Sequence, residues 1–288
     1  MKDFGDLYKS EKKKIKNPKS SKEEIINQAI KFHSKGNIAA ATKYYQQLIN
    51  QGCIDHRIFC NYGLILKGLG DLQEAEIYLR KAIKLQPDSA EACDNLGMIL
   101  RDIRKIDEAE MYLRKAIKLK PDFAEAFNNL GIILRDIGKI DEAEIYLRKA
   151  IKLKPHFAKA HLNLGMISKD LGKLLEAELS TRNAIKLKPD FAEAHLNLGN
   201  IFRDIGNLKE AEISTRKAIE FNPNLAKAHY SLSLIKLSDD HKIWQDQLFS
   251  ENILNNKSQG DQIDIYFARA NVLHKEKKYA ESSKYLKL

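Results

Sequence analysis

One nine-residue phrase recurs along this chain at a fixed interval. KLKPDFAEA occurs at residues 118–126 and again at residues 186–194, and KLKPHFAKA lies between them at residues 152–160. Three residue types share the same 34-residue interval: Pro87, Pro121, Pro155, Pro189 and Pro223; Gly63, Gly97, Gly131, Gly165 and Gly199; Ala75, Ala109, Ala143, Ala177 and Ala211. A fixed period of this length predicts a solenoid of stacked units.

The phrase marks the end of one helix and the start of the next. Pro121 has no amide hydrogen and disfavours helical geometry at the residue before it, so the preceding helix must end there. We expect Asp122 to cap the following helix, with Glu125 completing a capping-box-like pair. Two further repeats carry the same pair: Asp88 with Glu91, and Asp190 with Glu193. His156 and Lys159 replace it in one copy, which predicts a weaker helix start.

Two helices are predicted in each unit. In one unit, apolar residues recur at helical spacing over residues 124–137 and 141–153, on either side of a turn at residues 138–139. Gly131 and Ala143 are small where these two helices must approach closely. Ion pairs at i,i+4 should add about 0.2–0.5 kcal/mol each to the second helices: Glu76 with Arg80, Glu110 with Arg114, Glu144 with Arg148, Glu178 with Arg182, and Glu212 with Arg216.

The segment NNLGIILRDIGKIDEAEIYLRKAIKLKP, residues 128–155, resembles a tetratricopeptide repeat. That family's pattern has Leu-Gly in the first helix, Gly at the turn, Ala early and late in the second helix, and Pro at the end. The resemblance implies an all-α fold, a tetratricopeptide α-solenoid in which antiparallel helix pairs form a right-handed superhelix. One regular unit departs from the pattern, because Arg104 stands where the turn glycine is expected.

The same pattern divides the whole chain. Its predicted parts are a basic tail at 1–21, a degenerate repeat at 22–55, regular repeats at 56–89, 90–123, 124–157, 158–191 and 192–225, a degenerate repeat and linker at 226–262, and a partial repeat at 263–288. Ser21 with Glu24 is expected to cap the degenerate repeat, and Gly36, Ala41 and Tyr45 keep its register. Because a solenoid normally ends in a polar capping helix, the partial repeat suggests a truncated product or a fragment.

The charge of the chain is unevenly distributed. Half of the formal net charge of +10 lies in residues 1–22, which hold eight Lys against three acidic residues. We interpret this segment as a solvated tail. A nucleic-acid arm is the alternative, and it predicts binding with a steep salt dependence that deletion of the tail abolishes. Since no aromatic residues alternate with the repeat lysines, we do not expect nucleic-acid binding.

Other features of the composition bear on compartment. The three cysteines, Cys53, Cys60 and Cys93, have no metal-binding spacing and leave an odd thiol, which suits a reducing compartment. No apolar run reaches the length of a membrane span, and the amino terminus has no signal-peptide pattern. We therefore expect a cytoplasmic protein without a membrane segment.

No catalytic constellation is visible. His161, His195 and His229 occupy the fourth position of successive units, where Phe or Cys stands in the others. This makes them packing residues, and neighbouring helices lie about 8–10 Å apart, too far to share one metal. No phosphate-binding glycine loop is present. We predict no catalysis, no cofactor and no metal for this chain.

Polar residues at the sixth position of the first helices are candidates for binding. This position is Asn in all five regular units: Asn61, Asn95, Asn129, Asn163 and Asn197. An Asn amide both donates and accepts, so it can pair with a peptide backbone. An extended peptide rises about 3.3 Å per residue, so one Asn per unit would meet roughly every third residue. The ladder resembles that of the repeat region of protein O-GlcNAc transferases. Alternatively, these Asn residues tie neighbouring helices together.

Charged residues follow at positions twelve and thirteen of the same helices. These candidate groove residues are Lys67, Arg101, Arg135, Lys169 and Arg203, followed by Asp102, Asp136, Asp170 and Asp204. They could bind acidic or mixed-charge segments. The favoured alternative is an internal lattice in which each base pairs with the Asp of a neighbouring unit.

We therefore predict a protein-interaction scaffold that binds an extended protein or peptide segment in a concave groove. The alternative is the substrate-recruiting region of a larger transferase whose catalytic domain is absent from this sequence. Residues 242–288 resemble the segment that joins repeats to a sulfotransferase domain in bacterial fusion proteins, and the repeats resemble those of O-GlcNAc transferases.

Overall fold

The computed structural model describes residues 22–235 and 242–287. Within them lie sixteen α-helices, one short 3₁₀-helix and no strand. The predicted all-α fold is confirmed. The predicted tail at 1–21 and the proposed cap Ser21 lie outside the described residues. The chain divides into two compact units after Pro121.

The first unit contains three helix pairs. Its helices are α1 (Lys22–Ser34), α2 (Ile38–Asn50), α3 (His56–Leu69), α4 (Leu72–Leu85), α5 (Ala90–Asp102) and α6 (Ile106–Leu119). Each helix packs against its partner in the pair, and the second helix of one pair packs against the first helix of the next. This is the packing of an α-solenoid.

The second unit continues the same pattern and then departs from it. Its helices are α7 (Ala124–Asp136), α8 (Ile140–Leu153), α9 (Ala158–Asp170), α10 (Leu174–Leu187), α11 (Ala192–Ile205), α12 (Leu208–Phe221), α13 (Ala226–Leu234), α14 (Lys242–Phe249), the 3₁₀-helix Glu251–Leu254, α15 (Gln259–Lys275) and α16 (Tyr279–Tyr285). After three regular pairs, α13 packs against α15, and Trp244 and Leu248 of α14 are buried in the same cluster.

Small residues bring the two helices of each pair together. In α8, Ala143, Leu147 and Ala150 are fully buried. A Cβ atom on Gly131 of α7 would lie 2.8 Å from Leu147 Cγ, closer than a normal contact. The prediction that Gly131 and Ala143 mark a close approach is therefore confirmed, and the observed bounds of α7 and α8 lie within one residue of the predicted ones.

The predicted caps were wrong by one residue. The N-cap residue of α7 is Phe123, which makes no side-chain cap hydrogen bond. The backbone carbonyl of Asp122 instead accepts from the amide of Ala124. The Glu125 carboxylate lies 2.6 Å from the Lys154 ammonium of the same repeat.

The other predicted caps show the same shift. The helices after Asp88 and Asp190 are capped at Ser89 and Phe191, and of these only Ser89 accepts a hydrogen bond through its side chain. The helix after His156 has its N-cap in the same register, at Phe157. The fixed turn after proline, rather than an acidic side chain, thus sets where these helices begin.

The turn at Arg104 carries backbone strain. Its φ of +67° matches the +78° of Gly138 at the equivalent turn of the next repeat. A residue with a Cβ costs about 1–2 kcal/mol in this conformation. We expect Arg104→Gly to raise the free energy of unfolding by about 1 kcal/mol, measured by urea denaturation. Gly138→Arg is the matched reverse change and should lower it; two shifts of the same sign would contradict the assignment.

Candidate functional site

The sixth-position asparagines of the second unit lie at equivalent points of α7, α9 and α11. Asn129 and Asn163 are half-buried, whereas Asn197 is buried. Asn163 donates from Nδ2 to Oδ1 of Asn128 at 2.8 Å, and Asn128 donates to Oδ1 of Asn129 at 3.3 Å. The side chains of neighbouring first helices, α7 and α9, are thus hydrogen-bonded to each other along this face.

Asn197 makes a different contact from its counterparts. Its Nδ2 donates to Oγ1 of Thr181 in α10 at 2.8 Å, and that hydroxyl donates to the carbonyl of Ala177 at 2.7 Å. Thr181 is fully buried, and Asn197 is only 7% exposed. This asparagine therefore ties two repeats together, as the alternative interpretation of the ladder proposed.

The asparagines of the first unit are also hydrogen-bonded. Asn61 donates from Nδ2 to the carbonyl of Arg57, one turn earlier in α3, at 2.9 Å. Asn95 hydrogen-bonds the thiol of Cys60, and burial raises the pKa of that thiol. These contacts fix the orientation of each carboxamide. Because an amide offers two N–H groups and an oxygen with two lone pairs, one such bond does not exhaust its capacity.

The charged residues at positions twelve and thirteen pair across repeats. Lys67 lies 3.8 Å from Asp102 in the first unit. In the second unit Arg135 lies 2.7 Å from Asp170, and Lys169 lies 3.3 Å from Asp204. Arg203 lies 3.7 Å from Asp204, the next residue of the same helix. Arg101 and Asp136 also interact with other groups. Three pairs thus join a base of one repeat to the Asp of the next, as the internal-lattice alternative predicted. Half-exposed ion pairs of this kind contribute about 0–1 kcal/mol each to the free energy of unfolding.

A second ion-pair network joins the second helices, and the i,i+4 spacing predicted only its contacts within one helix. Glu144 of α8 accepts from Arg148 at 2.7 Å, as the i,i+4 spacing predicted, and from Lys173 of the next repeat at 2.8 Å. Arg148 also contacts Glu176. The Lys173 ammonium, followed by the Arg148 guanidinium, holds the pKa of Glu144 below its usual range. Glu76 pairs in the same way with Arg80 and Lys105.

The three fourth-position histidines share one contact. Nε2 of each lies 2.9–3.0 Å from the carbonyl oxygen of the proline six residues earlier: His161 with Pro155, His195 with Pro189, and His229 with Pro223. The ring thereby satisfies a carbonyl at the turn between repeats. Among residues 22–235 and 242–287, no three His, Cys, Asp or Glu side chains lie close enough together to hold a metal. The constant interval of six residues between Pro and His in these three repeats is the sequence signal for this contact.

His229 is locked in one tautomer. Its Nδ1 accepts from Nε1 of Trp244 at 3.0 Å, so the proton lies on Nε2 and is donated to Pro223. The side chain is fully buried, and burial lowers the pKa of His229 below the ordinary value of 6.5. Protonation would place a charge inside the cluster and break the bond from Trp244.

We expect a pH-dependent loss of stability at this histidine. A lowered folded-state pKa means that the unfolded chain binds more protons, so stability falls as pH drops below about 6.5 towards the folded-state pKa. Trp244 is the chain's single tryptophan, and its fluorescence during urea denaturation at pH 7.5 and 5.5 measures the effect. His229→Gln should flatten this pH dependence; an equally steep dependence in that variant would refute the assignment.

No helix in the described part of the chain is both long and apolar enough to cross a bilayer.

Comparisons with known proteins match the regular part of the chain. Sequence profiles of the tetratricopeptide repeat match residues 56–89, 90–123, 124–157, 158–191 and 192–225. A TPR repeat-containing protein of Dictyostelium discoideum is 29% identical over 91 residues, which cover 31% of this chain and 35% of that relative. The match thus spans about a third of the length of this curated relative.

Solved structures show the same fold. The APC/C hetero-tetramer Cut9–Hcn1 matches with a TM-score of 0.66 and 18% identity, over 90% of this chain and 47% of that one. Pseudomonas aeruginosa pilF matches with a TM-score of 0.59 and 19% identity, over 81% and 95%. A thermophilic TPR protein of Thermus thermophilus matches with a TM-score of 0.53 and 24% identity, over 58% and 92%.

These likenesses concern the fold alone. They do not bear on the resemblance to sulfotransferase fusions or O-GlcNAc transferases, which stays a prediction. The five matched repeats run without a gap from residue 56 to residue 225, more than half of the chain, which therefore belongs to the tetratricopeptide-repeat family.

Proposed function

We propose that this chain is a protein-interaction scaffold that holds an extended segment of a partner protein along the first helices of its second unit. The binding surface, called the first-helix face below, consists of positions six and nine of α7, α9 and α11: Asn129, Ile132, Asn163, Met166, Asn197 and Asn200. The observation that carries the proposal is the 2.8 Å hydrogen bond from Asn163 to Asn128, which links the side chains of neighbouring first helices at this face. The tetratricopeptide fold is consistent with such a scaffold.

The composition of the face suits a peptide backbone. Ile132 and Met166 are half-buried and offer apolar contact beside the asparagines. Asn163 donates one of its two amide N–H groups to Asn128. The second N–H and the amide oxygen can therefore bind a ligand. Since the internal bond already fixes the side chain, binding need not immobilise it, and this lowers the entropic cost of association.

Charge makes a smaller contribution in this proposal. Arg135 and Lys169 already pair with Asp170 and Asp204. An acidic ligand would have to compete with these carboxylates, so the charged positions tune the rate and the salt dependence of binding more than affinity. We accordingly propose a partner that is a protein segment rather than a nucleic acid, and a non-catalytic role in the cytoplasm.

The test uses peptides selected on the full chain. A displayed library of random nine-residue peptides is panned on the protein, and a selected peptide is titrated by fluorescence polarisation. The double variant Asn129→Ala/Asn163→Ala should bind at least tenfold more weakly. The control Lys118→Ala/Lys152→Ala changes exposed residues of α6 and α8, both second helices, and should bind within twofold of wild type. Equal affinity of the asparagine variant, or no selectable peptide, would overturn the proposal.

A further inference from the structure

Second helices of the regular repeats differ at one aromatic position. Three of them carry Tyr there, at Tyr78, Tyr112 and Tyr146, whereas α10 and α12 carry Ser180 and Ser214. Both serines are buried. Because serine is far smaller than tyrosine, the groove between successive second helices must differ between the two kinds of repeat.

In the first unit, tyrosine fills this groove. The ring of Tyr112 in α6 lies under the guanidinium of Arg80 in α4, with Arg80 Cζ 5.7 Å from the ring centroid. Arg80 also donates to the Tyr112 hydroxyl at 3.4 Å. The arginine of one repeat thus covers the aromatic ring of the next.

In the second unit, the equivalent groove between α10 and α12 contains a cavity of about 410 Å³. Arg182 and Ser214 stand three repeats beyond Arg80 and Tyr112, at the same positions. With no tyrosine ring beneath it, Arg182 lies over Phe202 of α11, 5.6 Å from the ring centroid. Ser214 and Phe202 both line the cavity.

The chemistry of the cavity indicates what it would take. Phe202 and Ile213 provide apolar contact, and Arg182, Lys186 and Lys217 provide cations. The acidic side chains here are fewer: Glu210 lines the cavity, and Glu178 pairs with Arg182 at 2.9 Å. A flat apolar ring would contact Phe202 and the Arg182 guanidinium, and carboxylates beside that ring would face the two lysines.

We propose that this cavity is a second docking site, which takes an aromatic side chain of a partner segment flanked by Asp or Glu. The incoming ring occupies the place that Tyr112 fills in the first unit. The site lies among α10, α11 and α12 and does not use the first-helix asparagines, so it is independent of the proposed peptide-binding face.

The test titrates a fluorescent peptide, acetyl-Gly-Asp-Glu-Tyr-Glu-Asp-Gly-amide, into the full chain. Ser214→Tyr restores the residue that three other repeats carry and should weaken binding at least tenfold by filling the cavity. Ser214→Ala is the matched control, because it keeps the cavity, and should bind within twofold of wild type. A peptide with Ala in place of Tyr should bind at least tenfold more weakly.

Two further measurements make the outcome decisive. Lys186→Gln/Lys217→Gln changes two exposed side chains and should weaken binding severalfold, with less dependence on salt. Asn129→Ala/Asn163→Ala should leave affinity for this peptide unchanged, which separates this site from the first-helix face. Equal binding of the Tyr and Ala peptides overturns the proposal, as does undiminished binding by Ser214→Tyr. If Ser214→Tyr does not fold by circular dichroism, the peptide pair and the lysine variant decide the outcome.

Discussion

Arg269→Met is expected to lower the free energy of unfolding of the second unit's carboxy-terminal helices by about 3 kcal/mol. Arg269 is 6% exposed in α15 and donates to the carbonyls of Leu248 and Ser250, each at 2.9 Å. Its guanidinium also lies close to two rings, 5.8 Å from the centroid of Phe249 and 5.6 Å from that of Tyr285.

The expected size follows from the groups that methionine leaves behind. The carbonyl of Leu248 lies in the last turn of α14 and that of Ser250 directly follows the helix, where the backbone has no intrahelical donor. A hydrogen bond from a charged donor contributes about 1.5–3 kcal/mol, and methionine replaces only the apolar volume of the side chain. The loss of stability in Arg269→Met is therefore expected to come from the two carbonyls left without a donor, rather than from lost packing.

Trp244 of α14 makes the measurement specific. It is buried in the cluster that α14 forms with α15, so its fluorescence during urea denaturation reports this end of the unit. Arg269→Lys keeps the charge but not the planar fork, and should fall between wild type and Arg269→Met. Arg148→Met removes an arginine that is half exposed and paired with Glu144, and should cost less than about 1 kcal/mol. Equal costs at the two arginines would contradict the assignment.

Gly165→Ala should destabilise the second unit by about 2 kcal/mol, against the usual preference for alanine in helices. A Cβ at this position would lie 2.3 Å from Oγ1 of Thr181 and 3.1 Å from the carbonyl oxygen of Ala177. That hydroxyl donates to Ala177 and accepts from Asn197. Thr181 therefore cannot move aside without losing two buried hydrogen bonds.

Gly68→Ala is the matched control. Gly68 also lies inside a helix, but a Cβ there would meet no atom within 4 Å. Alanine at this position should raise the free energy of unfolding by about 0.5–1 kcal/mol, because it loses less conformational freedom on folding. Urea denaturation followed by circular dichroism measures both variants. Destabilisation by both, or by neither, would mean that the helix contact at Gly165 is looser than described.

Local structure was largely predictable from the sequence. The bounds of α7 and α8, and the close approach at Gly131, follow from the spacing of prolines, glycines and alanines. The prediction of Asp122 as a cap was wrong, because the turn after proline places Phe123 at that position. The roles of the ladder asparagines stay a prediction.

The ladder shows why the remaining part of the site could not be predicted. Asn163 and Asn197 occupy the same position of the repeat, yet one bonds to Asn128 and the other to Thr181. The contact at Asn197 depends on the second helix of the preceding repeat, which carries Thr181 where the repeat before it carries Leu147. The residue pattern of one repeat therefore cannot predict contacts that depend on a substitution in the neighbouring repeat.

The sequence by itself determined the repeat, its helices and its small close-packed residues, because proline, glycine and helical periodicity act on the nearest turns of the chain. The tertiary structure decided which side chains meet across repeats. Two contacts join distant segments: the ion pair of Arg135 with Asp170 and the hydrogen bond from Trp244 to His229. The cavity at Ser214 is likewise lined by residues of three different helices. Such contacts exist only once the helices pack, since packing alone fixes the distances and directions of their side chains.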